Sequence, residues 1–259
     1  MSLKRERAGG VEWWTLDRPD QMNALSSDLV AGIAAAARDA RTDPSLRVVV
    51  ITGSGRGFSA GADLKEARVA LERPSAFAAM LGTWRATFRE LELLPLPVIA
   101  ALNGITLAGG LELALACDLV IASSAARIGD GHIRYGLVPG GGGSQRLADA
   151  IGARAARWLM YSGELLDAEA ALALGLVQKV VPVATFLEDV QSVAEAMAAR
   201  SSSALAFMKR MSRARGVSDI DLQAELEGAV AVVTGLDARA GLAAFAAGEE
   251  PVFSKERLE

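Results

Sequence analysis

Strand-like runs of β-branched residues alternate with helical segments over the first two-thirds of the chain. Strands are predicted at 11–16, 47–52, 97–102 and 119–122. Helices are predicted at about 26–41, at 64–94 with a break near Pro74, and at 110–117, 145–151, 154–162 and 167–175. The last third reads as helical almost to its end. This order predicts an α/β fold with a helical C-terminal region.

The composition is typical of one globular unit. The chain has 259 residues, of which 51% are apolar and 22% are charged, and no linker or repeat divides it. The net charge of −4 offers no basic excess for binding nucleic acid. The single cysteine, Cys117, excludes a disulfide framework and a cysteine-rich zinc site. The single histidine, His132, excludes the two-histidine motif of zinc proteases.

No segment predicts a signal peptide or a membrane span. The charged start, MSLKRER, is followed by no apolar stretch. The most apolar tract, 97–123, is interrupted by Asn103, Glu112 and Asp118. We therefore expect a cytoplasmic protein with no membrane partner.

Twice, a predicted strand ends in a glycine-containing turn that leads into a helix, at 59–63 and at 107–110. Glycines leave backbone N–H groups unobstructed, and the start of a helix adds a positive dipole. Two such N–H groups converging on one carbonyl oxygen would form an oxyanion hole. Tight packing of strand against helix explains the same glycines, and composition alone favours that explanation.

Glu112 lies within an otherwise apolar helix, GLELALAC. A carboxylate there is costly unless it is paired or functional. Burial would raise its pKa and suit it to acid–base catalysis. The alternative is that the side chain turns to solvent or meets an arginine.

Other motif matches are weaker. The segment GFSAG at 57–61 matches the G-x-S-x-G pattern of serine hydrolases, but four residues separate it from its strand. The only histidine also lies at mid-chain, too early for a catalytic triad of that type. The glycine run at 140–143 is followed by Ser144 and lacks the lysine of a phosphate-binding loop.

Four more extensive segments follow one another in a fixed order: RPDQMNAL at 18–25, TGSGRGFSAGADL at 52–64, PVIAALNG with GGLEL within 97–113, and PGGGGSQRL at 139–147. Their order and spacing resemble those of the crotonase superfamily, which comprises enoyl-CoA hydratases and isomerases. The resemblance covers at least residues 11–181.

The resemblance implies a spiral of ββα units over residues 1–190, followed by a C-terminal helical region at 191–259 within the same structural unit. It implies trimers formed through the C-terminal helices, or hexamers of two trimers. The substrate would be an acyl-CoA thioester, and no metal or redox cofactor would be needed.

Site residues follow from the matching motif positions. The N–H groups of Ala62 and Gly109 would hold the thioester oxygen and stabilise an enolate. The CoA site would be lined by residues of the first two segments, namely Met22, Ala24, Ala60, Gly61, Asp63 and Leu64. Near the C-terminus, Phe253 and Lys255 could reach the nucleotide of the same or a neighbouring subunit.

One position departs from the hydratase pattern. Hydratases of this superfamily place two glutamates around one water; Glu112 matches the first, but His132 stands at the second. An imidazole can hold a water or transfer a proton near neutrality. Asp130 could orient the ring if the backbone between them is not extended. A lone histidine is also often a structural group.

We therefore hypothesise that Glu112 activates water for addition at Cβ of a 2-enoyl-CoA, while His132 exchanges the Cα proton. Three alternatives stay open on the sequence. They are hydrolysis of a β-diketone by water attack on a carbonyl, isomerisation of an enoyl-CoA, and acyl-CoA binding without catalysis.

Overall fold

The computed structural model describes residues 2–71 and 73–212, together with the isolated positions 240, 247, 249 and 252. Its strands are β1 Leu3–Ala8, β2 Val11–Leu16, β3 Val48–Gly53, β4 Gly57–Ser59, β5 Val98–Leu102, β6 Ile105–Leu107, β7 Leu119–Ser123, β8 Arg127–Gly129, β9 Leu166–Asp167 and β10 Lys179–Val181. Its α-helices are α1 Ser27–Thr42, α2 Leu64–Leu71, α3 Pro74–Glu92, α4 Gly109–Leu115, α5 Gly143–Ile151, α6 Ala153–Ser162, α7 Ala168–Ala173, α8 Phe186–Ala198 and α9 Ser202–Ser212. Short 3-10 helices occupy Pro19–Gln21, His132–Tyr135 and Val183–Thr185.

The strands form two sheets. The larger has the order β1-β2-β3-β5-β7-β10, and all its pairs except β1–β2 are parallel. The smaller has the order β4-β6-β8-β9, in which β4, β6 and β8 run parallel. The predicted α/β class is confirmed.

A unit of strand, short strand and helix recurs three times along the chain. The units are β3-β4-α2, β5-β6-α4 and β7-β8-α5, each with its first strand in the large sheet and its second in the small one. This is the ββα spiral that the resemblance implied. Because the second strands are parallel neighbours, the turns that follow them meet at one edge of the small sheet.

The central strands of the large sheet are buried on both faces. On β3, Val49 and Ile51 belong to the core that contains α1 and α3, whereas Val48 and Val50 face Val190 and Ala194 of α8. Two helix starts are capped at predicted positions: Ser26 Oγ accepts the Leu29 N–H (3.2 Å), and Asp167 Oδ1 accepts the Ala170 N–H (2.8 Å).

The small sheet corrects the sequence interpretation. The strands β4 and β6 lie where loops were predicted, and β8 was not predicted at all. Each is three residues long, too short for an alternating pattern to show. The prediction that 11–16 is the first strand was also wrong, because β1 precedes it. Mostly exposed charged residues make β1 a polar edge strand without an apolar signature.

The boundary predicted at residue 190 lies inside α8. Most of 191–259 is outside the described residues, so the division into a core and a C-terminal region stays a prediction. Among the described residues, no helix is long and apolar enough to cross a membrane.

Candidate active site

Three segments of the candidate site follow β4, β6 and β8 directly: residues 60–63, 108–112 and 130–132. The parallel pairing of these strands places the three segments side by side. A hydrogen bond fixes two of them together, since the Ala108 N–H donates to the Asp130 carbonyl oxygen (2.9 Å). Residues far apart in sequence therefore share one edge of the small sheet.

The Ala62 and Gly109 amides lie in adjoining turns. A Cβ atom built on Gly61 would lie 2.9 Å from Ala108 Cβ and 3.2 Å from Gly109 N, so the turns are in contact. Among the described residues, neither the Ala62 nor the Gly109 N–H has a hydrogen-bond acceptor. The start of α4 at Gly109 adds the positive end of a helix dipole. Both donors are thus available to a ligand.

The predicted CoA-site residues of the first two sequence motifs, 18–25 and 52–64, lie close together. The Ala60 N–H donates to the Met22 carbonyl oxygen (2.9 Å). A parallel bridge joins Leu25 to Ala62, with the Leu25 N–H donating to the Gly61 carbonyl oxygen (2.7 Å). Met22 is half-buried, while Ala24 is buried. The structure therefore brings residues 22–25 against the turn after β4, residues 60–63, which we call the first turn.

Sequence reasoning missed the contact that holds this segment in place. Arg18 Nη2 donates to Asp63 Oδ2 (2.6 Å), and its Nη1 donates to the Ala24 carbonyl oxygen (2.5 Å). Burial raises the pKa of Asp63, but Arg18 and the backbone N–H groups of Lys65 and Glu66 outweigh it and hold the pKa below its usual value. Asp63 thus stays ionised and caps α2. Arg18 is the first residue of the motif RPDQMNAL, so the sequence contained a signal for this contact.

Glu112 is 1% exposed and is held by the glycine run that leads into α5. Its Oε1 accepts the N–H groups of Gly141 and Gly143, each at 2.8 Å. Its Oε2 is buried and has no hydrogen-bond partner among the described residues. The carboxylate therefore meets neither solvent nor an arginine. The alternative raised by the sequence, an exposed or arginine-paired side chain, is excluded. Sequence reasoning did not anticipate that 140–143 would hold it.

Burial raises the pKa of Glu112. The two backbone donors and the charge of His132 oppose the increase, and the charge of Asp130 adds to it. A raised pKa makes the carboxylate a stronger base than an exposed glutamate, as proton abstraction from water requires.

His132 lies beside Asp130 at the end of β8. Its Nδ1 is 3.1 Å from Asp130 Oδ2, and its backbone N–H donates to Asp130 Oδ1 (3.3 Å). Burial lowers the pKa of His132, but the hydrogen bond and charge of Asp130, together with the charge of Glu112, raise it above its usual value. The charges of His132 and Glu112 act on each other, so the two predicted catalytic residues lie near one another.

The sequence also singled out Leu64, Ser59, Phe253 and Lys255. Leu64 is 78% exposed at the start of α2. Ser59, the serine of the GFSAG match, is fully buried on β4, where its Oγ accepts the Gly61 N–H (3.2 Å). Phe253 and Lys255 lie outside the described residues. The described part of the chain contains no group of three or more metal-ligating side chains that could hold a metal ion.

A cleft of about 590 Å³ lies next to the first turn, between α2, α3 and the start of α1. It combines two cationic side chains with one carboxylate and several apolar side chains, and it is lined by Ser27, Lys65, Glu66, Val69, Ala70, Arg73, Ala76 and Met80.

A scan of family models matches residues 6–256 to the family described as enoyl-CoA hydratase/isomerase. A short-chain-enoyl-CoA hydratase of Clostridium acetobutylicum is 36% identical over 217 residues, covering 83% of this chain and 82% of that protein. A crotonyl-CoA hydratase of Syntrophomonas wolfei is 35% identical over 213 residues, covering 82% and 81%.

The similar solved structures include proteins with the same type of name as the sequence relatives. A crystal structure of an enoyl-CoA hydratase from Bacillus anthracis superposes with a TM-score of 0.93 at 34% identity. The match covers 99% of this chain and 100% of that one.

Proposed function

The chain belongs to the enoyl-CoA hydratase/isomerase family, and from this premise we propose that it adds water to a 2-enoyl-CoA thioester, or removes it in reverse. The observation that carries the proposal is the state of Glu112. One oxygen is fixed by two amides, and the other is buried without a hydrogen-bond partner in the described part of the chain. That second oxygen is suited to accept a proton from a water molecule.

The proposed reaction begins with the thioester oxygen on the N–H groups of Ala62 and Gly109. Glu112 Oε2 takes a proton from water, and the hydroxide oxygen bonds to Cβ. The electron pair of the Cα–Cβ double bond moves toward the thioester oxygen as an enolate, which the two donors stabilise. The protonated ring of His132 then gives its proton to Cα. Transfer of the proton from Glu112 to His132 restores both groups.

The cleft beside the first turn fits the two parts of an acyl-CoA. Lys65 and Arg73 can neutralise phosphate charge, while Val69 and Met80 offer apolar contact. Names of relatives that specify short-chain and crotonyl substrates favour a short acyl group. The reaction is redox-neutral overall and so needs no redox cofactor. Self-association and a cytoplasmic location stay predictions.

A panel of 2-enoyl-CoA thioesters, followed by mass spectrometry, tests the proposal. We expect the mass of one water to be gained, fastest with short chains. Removing the general base in Glu112→Gln should reduce kcat about 100-fold to 10,000-fold. Release of free CoA would instead support hydrolysis. A product of unchanged mass with a shifted double bond would instead support isomerisation. Binding of every thioester with neither a product nor exchange of Cα protons into D₂O would identify a non-catalytic binder.

A further inference from the structure

Asp130 and His132 form a dyad within one tight turn. In an extended strand, the same two residues would lie further apart along the chain. Gly131, between them, has a φ of 68°, a left-handed conformation that suits glycine. This turn folds both side chains toward each other, with Nδ1 and Oδ2 3.1 Å apart. Asp130 is 3% exposed, so the contact is protected from solvent.

The opposite ring nitrogen is left for the reaction. Among the described residues Nε2 of His132 has no hydrogen bond, as is also true of Glu112 Oε2. The charged groups that act on the ring are Asp130, at the end of β8, and Glu112, on α4. The α6 helix packs against the same 3-10 helix, and directly after α6 the Gly163 carbonyl oxygen accepts a hydrogen bond from Arg134 Nε (2.6 Å).

We propose that Asp130 is a positioning residue that accepts the Nδ1 proton of His132, fixes the ring, and directs Nε2 toward the space beside Glu112. Its role in catalysis rests on the proposed function, but the state of the ring does not. A fixed carboxylate also favours the imidazolium, because it stabilises positive charge on the ring. The pair would thus combine a carboxylate base with a cationic acid, in place of two carboxyl groups.

The ring can be observed directly, because His132 is the only histidine. In full-length protein carrying ¹³C,¹⁵N-labelled histidine, NMR would report one imidazole without ambiguity of assignment. We expect the neutral ring to carry its proton on Nδ1 and to titrate above the usual value of about 6.5. A neutral ring protonated on Nε2 would overturn the proposal.

The variant Asp130→Asn keeps an acceptor oxygen and removes the charge. Its imidazole should titrate about one pH unit lower than in the wild type. A matched control is Asp118→Asn. Asp118 directly precedes β7, and its carboxylate pairs with Lys209 (2.6 Å). The control should leave the histidine titration unchanged. An Asp130→Asn ring that titrates as in the wild type would contradict the proposal.

Kinetics give a readout that a merely structural role would not move. Since protonated His132 is the acid in hydration, kcat/KM should fall as pH rises through its pKa. In Asp130→Asn this alkaline limb should move to lower pH by about one unit, with about a tenfold loss on the limb. A loss of activity that leaves the limb in place would overturn the positioning role. If the ring behaves as expected in a protein that hydrates nothing, the hydratase proposal fails and the dyad remains supported.

Discussion

Glu112 and Glu92 are both buried carboxylates, but their surroundings differ. Glu92, 8% exposed, accepts hydrogen bonds from Arg146 (2.6 Å) and Arg89 (2.8 Å). Within the residues that the structure describes, Glu112 has only backbone donors on one oxygen and none on the other. A buried charge without a close cationic partner costs folding free energy, and that cost is typical of a group kept for chemistry.

This difference predicts opposite effects of two like substitutions at neutral pH. In the folded protein the pKa of Glu112 is raised, so ionisation above its ordinary value of about 4.5 destabilises the fold. Glu112→Gln should therefore raise Tm by about 2–4 °C, the effect of about 1 kcal/mol in a large domain, while abolishing most turnover. The gain should disappear as the pH falls below the ordinary pKa, where the carboxyl is protonated in both states.

Glu92→Gln is the matched control for that measurement. It breaks a buried ion pair and should lower the free energy of unfolding by about 3 kcal/mol. Thermal unfolding of the two variants and the wild type, followed by circular dichroism at several pH values, compares them. A comparable loss of Tm in both variants would contradict the view that the Glu112 charge is costly.

At the residue scale, the sequence predicted which side chains form the site better than it predicted the hydrogen-bond partners that hold them. The place of Glu112 in an apolar helix predicted its burial and its raised pKa. The donors from Gly141 and Gly143 could not be predicted, because they come from a loop 29 and 31 residues away whose course depends on the whole third unit. Asp130 could be suggested by proximity, but the contact with His132 depends on the backbone conformation of Gly131.

The element that positions the site is the pair of adjoining turns after β4 and β6. Gly61 has a φ of 101°, and a Cβ there would lie 2.9 Å from Ala108 Cβ. Gly61→Ala should therefore strain its own turn and move Ala62 relative to Gly109. We expect kcat for enoyl-CoA hydration to fall about 100-fold, as when one oxyanion donor is lost.

Gly82→Ala provides the control for a glycine substitution as such. Gly82 lies inside α3, and a Cβ there meets nothing within 4 Å. This variant should be more stable by about 1 kcal/mol, because alanine favours a helix, and should keep wild-type kinetics. Steady-state rates and Tm of both variants separate the two effects. Wild-type kcat in a folded Gly61→Ala would argue against the two-amide site.

Elements of five or more residues were mostly predictable, and the three-residue strands of the small sheet were not. The apolar run of β3 and the capped start of α1 carry their own signals, whereas three-residue strands such as β4, β6 and β8 depend on pairing with one another. The small sheet nevertheless sets the site, because its parallel order brings the three turns together. The motif resemblance anticipated the ββα spiral that local patterns could not.

At the scale of the whole molecule, large apolar side chains remain exposed. The most exposed on the 3-10 helix at 132–135, its following loop and α6 are Tyr135 (82%), Val138 (76%), Tyr161 (73%) and Trp158 (64%). Exposed apolar area of this kind is typical of an interaction surface. It supports the prediction of a trimer or hexamer, although the role expected for the C-terminal helices concerns residues mostly outside the described ones.

Light scattering of the full-length protein during gel filtration tests the assembly. We expect a particle of three or six times the chain mass of 27.0 kDa. A particle with the mass of one chain across the concentrations used for kinetics would contradict self-association, while leaving the chemistry of the site untouched.

Hydration of crotonyl-CoA in D₂O tests the central claim most directly, since one product reports every step of the chemistry. Glu112 and His132 should together deliver one solvent hydroxyl to Cβ and one solvent deuteron to Cα. Mass spectrometry and NMR of the product should then show 3-hydroxybutyryl-CoA with a single, stereospecific deuterium at Cα in the wild type and only trace amounts from Glu112→Gln. Unchanged crotonyl-CoA, or free CoA released with no deuterium fixed at Cα, would contradict the account.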